Sequence, residues 1–104
     1  MMEKTVDMML IAFCADYERR EKAIRNRTVS YRTEMEYRYY NFNIYEAAAE
    51  IVGDHLAEKY IADIGARRGY ASTELADCYC EKTYKTRKSA IKESIARRLR
   101  LIES

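Results

Sequence analysis

No proline occurs anywhere in this chain of 104 residues, and glycine occurs only at positions 53, 65 and 69. Tight β-hairpins draw on glycine, or Asn-Gly and Asp-Gly pairs, to reach positive φ. A chain nearly without those residues has little means of punctuating a sheet. It predicts an all-α fold, a compact bundle of four or five helices within one domain. Apolar residues make up 48% of the chain, enough for a single core, and 35% charged residues suffice for its surface.

Hydrophobic spacing places the helices. Val6, Met9, Leu10, Phe13, Tyr17 and Ile24 recur at intervals of three, four and seven, which predicts a helix from about 5 to 25. On its polar side Glu18–Lys22 and Glu21–Arg25 are acid-first i,i+4 pairs. Residues 28–42 are ambiguous, because Val29, Tyr31, Thr33, Met35, Tyr37 and Tyr39 alternate with the period of a strand. The run Thr33–Glu36 instead reads as a capping box, which favours a short helix over 33–41. A further helix is expected over 43–65, begun by Asn43 and Glu46, with an apolar stripe of Ile44, Ala48, Ile51, His55, Leu56 and Ile64. Gly53 inside it predicts a close helix crossing at a cost of about 1 kcal/mol, and Gly65 or Gly69 a left-handed terminus. A short helix over 72–78 and a long one over 81–102 complete the chain.

The net charge of +2 is unevenly distributed. Residues 81–104 carry eight Lys/Arg against three Glu, a net of +5; the other eighty residues carry eleven basic against fourteen acidic, a net of −3. In the last helix Tyr84, Lys88, Ile91, Ile95, Leu99 and Ile102 share one side, the Lys88 stem lying along it with its ammonium in water. Lys82, Lys85, Thr86, Ser89 and Arg100 fall opposite, at about 100° per residue. Such a helix can enter a major groove by its first two turns, with the 72–78 helix bracing the backbone. The chain then divides into a helical body, 1–66, and a helix–turn–helix-like unit, 67–104. The DNA-binding candidates are Lys82, Lys85, Thr86, Arg87 and Ser89 near base edges, with Lys92, Arg67 and Arg68 near phosphates. In the turn Cys78 is the small residue, Cys80 delivers the second helix, and Tyr79 and Tyr84 pack on either side.

"DIGARRGYASTEL" and "CEKTYKTRKSAIKESIARRLRLI" resemble the C-terminal part of small phage-encoded transcriptional regulators of Gram-positive bacteria, the ArpU/RinA-like proteins. That part of the family is similar to DNA-binding region 4 of sigma factors. Its turn reads Ser-Glu-x-Thr-Tyr before a basic helix; here it reads Cys80-Glu81-Lys82-Thr83-Tyr84, with cysteine in place of the serine. The resemblance covers about the last forty residues and implies gene control through double-stranded DNA. A regulator with one such helix is expected to dimerise or to ride on RNA polymerase.

Other constellations read more plainly. Cys78 and Cys80, with Cys14 and the only histidine, His55, lack the two-to-four-residue gaps of a zinc knuckle, so neither a metal nor a cofactor is expected. His55 reads as a core or boundary histidine. The odd cysteine count points to reduced thiols and a cytoplasmic location. The apolar run at 8–15 is too short to span a bilayer and lacks a signal-peptide cleavage site. One histidine and no phosphate loop or nucleophile motif argue against an enzyme. Ten tyrosines, with Tyr31, Tyr37, Tyr39, Tyr40 and Tyr45 clustered, read as boundary residues, as a partner-binding surface, or as stacking platforms for unpaired bases. The rival to DNA binding is therefore a non-catalytic helical interaction or structural module.

Overall fold

The structure, a computed structural model, describes residues 3–77 and 80–102. The described residues form no strand. They hold five α-helices: α1 (Lys4–Ala15), α2 (Tyr17–Asn26), α3 (Tyr31–Val52), α4 (Asp54–Gly65) and α5 (Glu81–Arg98). Two 3₁₀ turns, Tyr70–Ser72 and Glu74–Asp77, lie between α4 and α5. α3 is the spine: its first half packs on α2, and its second half is flanked by α4 and α5, with α1 against α4 and α5. One cluster joins Leu10 and Cys14, Ile44 and Ala48, Tyr60 and Ile64, and Tyr84, Ile91 and Ile95.

Two expected helices divide elsewhere. The segment over 5–25 bends at Asp16, where the carbonyl of Phe13 accepts a hydrogen bond from the Arg20 guanidinium. Arg20 is only 3% exposed; its Nε also donates to Asn41 Oδ1 at 2.7 Å, and it lies over the rings of Phe13 and Tyr40. Asn41 Nδ2 donates to the Tyr17 carbonyl at 3.1 Å and to Glu21 Oε2 at 3.0 Å. This buried set fixes the α1–α2 bend against α3, and it engages Glu21 rather than leaving it to Arg25.

Residues 31–42 are helical, and no strand forms over 28–42. Helix α3 begins earlier than Thr33, because Ser30 Oγ accepts from Thr33 N at 3.3 Å and acts as the N-cap. It then passes through 41–43 without a break. Asn43, expected to begin a new helix, instead donates its side-chain amide to the Tyr39 carbonyl one turn back, at 2.9 Å. The interruption comes at Gly53, whose φ of +87° ends α3 and starts α4. Gly53 is thus a hinge between helices rather than a crossing point. The break also resets the face that α4 presents to the core: Leu56, Ala57, Tyr60 and Ile61 turn inward, and His55 is exposed instead of joining the stripe.

The close crossing is at Gly65. A Cβ there would lie 2.7 Å from the Ala15 backbone, so α1 and α4 approach as closely as they do only because this side chain is missing. Left-handed helix ends occur at arginines: Arg27, Arg67 and Arg100 have φ of 51°, 57° and 58°. After α4, Arg68 N bonds back to Asp63 O at 2.9 Å and Arg67 N to Ile64 O at 3.2 Å, a Schellman closure with arginine where glycine is usual. The same pattern closes α2 and α5, so α5 ends at Arg98, short of the expected Ile102.

Two substitutions probe these joints. Gly65→Ala should destabilise the fold by about 2 kcal/mol, since backbone must shift to admit the methyl group. Arg27→Gly should stabilise it by about 1 kcal/mol by removing the Cβ penalty of the left-handed region. Equilibrium urea denaturation reads both, and opposite signs are the expected result.

Candidate nucleic-acid interface

The position of α5 is set by one buried carboxylate. Asp63, near the end of α4, is 4% exposed. Its Oδ2 accepts from the Thr73 hydroxyl and, at 2.9 Å, from the Tyr84 phenol; its Oδ1 takes Arg68 Nη1 at 3.2 Å. Thr73 then accepts from Leu75 N at 3.2 Å and so starts the second 3₁₀ turn. Tyr84 stacks on Tyr60 with ring centroids 5.5 Å apart. Lys88 reaches the same place: its Nζ donates to the Arg68 carbonyl at 2.6 Å and lies over the Tyr84 ring. Its ammonium is therefore held by protein rather than left in water, and burial, then the charge of Lys92, lowers its pKa. One carboxylate thus ties α4, the 66–77 connection and the first turns of α5 together.

Anchored by Tyr84, Ile91 and Ile95, α5 turns its other side to solvent. Lys82, Lys85, Thr86 and Ser89 are all exposed along its first two turns. The Lys82 side chain makes no hydrogen bond or ion pair with the described residues. Lys85 pairs with Glu81 at 3.1 Å, but both side chains are more than half exposed, so the pair is worth only about 0.3–0.5 kcal/mol and yields readily to a phosphate.

The remaining candidates separate. Lys92 is held by Asp7 of α1 at 2.6 Å, with only 21% of its side chain exposed, and faces the body. Arg87 is half-buried and already engaged within the protein. Arg68 serves Asp63, and Arg67 is exposed at the left-handed end of α4. Farther along, Arg97 pairs with Glu93 and Arg98 with Glu50 of α3. The basic segment is therefore a donor row on two turns, not a continuous cationic face.

The short α-helix expected over 72–78 is replaced by 3₁₀ turns. Thr73 stands between them in an extended conformation (φ −88°, ψ 147°), held by its bond to Asp63, and this interrupts any continuous α-helix there. The expected turn residues Cys78 and Tyr79 lie outside the described residues, so a helix–turn–helix unit is not established among those that are described. Cys80 takes the N-cap position of α5 with no side-chain cap bond. Its Sγ lies 3.2 Å from Thr83 Oγ1, and that contact, together with nearby backbone amides, lowers its pKa. Cys14 behaves oppositely: burial pushes its thiol up to about 12 against the pull of Arg20 and Lys92. Among the described residues no three His, Cys, Asp or Glu side chains gather as a metal site requires, and no helix is long and apolar enough to cross a membrane.

Sequence reasoning missed Asp63, because an acidic residue within an apolar stripe has no signature of its own. It also missed the exposed row Tyr31, Met35, Tyr39 and Phe42 on the outer side of α3, though the tyrosine cluster hinted at it. Comparison with protein families, curated proteins and solved structures finds no match.

Removing the Asp63 carboxylate takes the acceptor from the buried Thr73 hydroxyl and leaves the Tyr84 phenol only a long bond to the Arg68 carbonyl, at 3.4 Å. Asp63→Ala should cost about 3 kcal/mol and lower the melting temperature by roughly 15 °C. The Tyr84 phenol, raised to about 12 by burial and then by its bond to Asp63, stays protonated above the usual tyrosine value of about 10. Its contribution to stability is complete below pH 10 and is lost as pH rises toward 12. Melting temperatures measured across that window should fall more steeply in the native protein than in Tyr84→Phe.

Proposed function

We propose that the chain is a DNA-binding transcriptional regulator that inserts the first two turns of α5 into the major groove of double-stranded DNA. The supporting observation is the exposed row Lys82, Lys85, Thr86 and Ser89 opposite the buried Tyr84, Ile91 and Ile95. Lysines there donate to guanine O6 and N7, threonine offers a methyl group to thymine, and serine can serve either base edge. Arg67 is exposed at the end of α4 and meets a phosphate, and the exposed half of the Arg68 side chain, though paired with Asp63, adds a weaker contact. Lys92 and Arg87 make the smaller contribution, being committed to the protein itself. The resemblance to phage-encoded regulators points the same way and suggests an intracellular, cytoplasmic protein that controls phage genes.

A second reading has its own observation. Tyr31, Met35, Tyr39 and Phe42 are 79, 48, 51 and 61% exposed, an apolar stripe larger than scattered surface residues produce. A helical interaction module would use it, alone or beside the DNA-binding role.

The salt dependence of DNA binding tests the main reading. About four neutralised phosphates give a log–log slope near −3.6, so affinity should fall about 150-fold between 50 and 200 mM salt. Lys82→Ala with Lys85→Ala should weaken binding about tenfold or more and relax the preference for guanine-bearing sites, with little change in melting temperature. Binding that ignores both changes would exclude α5 as the reading element.

A further inference from the structure

The α3 stripe carries a pattern that names its partner. Tyr31, Met35, Tyr39 and Phe42 follow one another at four, four and three residues, a continuous seam over three turns. The seam faces away from the core, since the same helix buries Asn41, Ile44 and Ala48 on nearly the opposite side. A shallow groove lies along it, lined by Tyr31, Met35, Tyr39 and Tyr40 with Arg32 and Glu36 on its edge.

The charges beside the seam are ordered. On one flank Arg32 precedes Glu36; on the other Glu34 precedes Arg38, and those two pair with each other at 3.1 Å. When two identical helices lie antiparallel about a two-fold axis, each flank faces its own copy with the chain direction reversed. Centring the axis on Met35 brings Met35 to Met35. It also sets Tyr31 level with Tyr39 of the other copy. In that register Arg32 meets Glu36 on one flank, and Glu34 meets Arg38 on the other. Each pair is offset along the axis by about 3 Å, two residues of helical rise, well within reach of these long side chains. From 31 to 39 the apolar sequence reads the same in both directions about Met35, and each flank brings an arginine of one copy near a glutamate of the other; Phe42 reaches past the start of the other copy's α3. In a parallel two-fold pairing each flank would face the opposite flank of the other copy, so Arg32 and Glu36 would not meet.

We infer that the outer face of α3 is a homodimer interface, formed by antiparallel pairing of α3 with a second copy of this chain about Met35. Self-complementarity of this kind is what a closed two-fold contact requires. Its occupant is the same chain rather than a foreign helix, because the flanking charges already match their own reverse. The interface is small, with a seam of four large side chains. It therefore holds a reversible dimer, with Kd on the order of tens of micromolar. Pairing here leaves α5 outside the contact, so two α5 helices are available to one DNA duplex; the dimer itself does not depend on DNA binding.

Sedimentation velocity of the full chain without nucleic acid tests this directly. The native protein should shift from monomer to dimer as concentration rises through about 10–100 µM. Glu36→Arg sets arginine against arginine twice and should weaken the dimer at least about tenfold. Adding Arg32→Glu restores opposite charges on that flank, and the double variant should return to within about threefold of the native Kd. Both positions are exposed, and unchanged melting curves would show the variants folded. A native chain that stays monomeric at about 1 mM overturns the inference. So does a dimer that Glu36→Arg leaves intact, or one that the compensating change fails to rescue. None of these outcomes touches the α5 reading, which the salt series decides separately.

Discussion

A carboxylate with a relative exposure of 4% that serves a threonine, a tyrosine and an arginine is the point on which the C-terminal half of this molecule turns. A buried, unpaired charge would cost several kcal/mol, so Asp63 is stable in its place only while its donors are in theirs. The three donors come from three places along the chain: Arg68 just past the end of α4, Thr73 between the 3₁₀ turns, and Tyr84 in the first turn of α5. Satisfying one acceptor therefore gathers a connection with few apolar residues of its own. It also fixes the rotation of α5, and that rotation decides which lysines reach solvent.

The same logic runs through the other end of the bundle. Arg20 and Asn41 are buried polar side chains that satisfy one another and the carbonyls of Phe13 and Tyr17. Apolar packing supplies most of the stability of such a small domain but is tolerant of small rotations and register shifts. Directional bonds in a low-dielectric interior are not, so two polar knots, one on each side of α3, set the angles that hydrophobic contact leaves free. The Gly65 crossing adds a third constraint of a different kind, the absence of a side chain.

The distribution of ion pairs changes the meaning of the basic tail. Eight Lys/Arg in the last twenty-four residues describe a strongly cationic segment. Folded, Lys92 answers Asp7, Arg97 answers Glu93, Arg98 answers Glu50, and Lys88 gives its proton donors to a carbonyl. Pairs that are partly shielded from water, such as Lys92–Asp7, keep their charge out of reach of a ligand. The exposed Lys85–Glu81 pair does not, because water already weakens it. Exposure, more than formal charge, sorts the cations that can meet a phosphate from those that hold the protein together.

The all-helical architecture, the helical run of α5 and its inward row of Tyr84, Ile91 and Ile95 were legible in the residues alone. Those features depend on local spacing and on the scarcity of proline and glycine, and local spacing survives folding. The joints between helices were not legible. Ser30 and Thr33 compete as caps, Asn43 can begin a helix or bond back within one, and three arginines take a left-handed conformation usually left to glycine. In each case the alternatives differ by only about 1 kcal/mol, too little for residue type alone to decide between them. The sequence by itself determined that this chain makes helices and where most of their apolar sides lie. Only the tertiary structure decided that Asp63 would be buried, that His55 would face water and that the α3 seam would stay uncovered. Each of those depends on how a whole helix is rotated against its neighbours, and no stretch of local sequence encodes that.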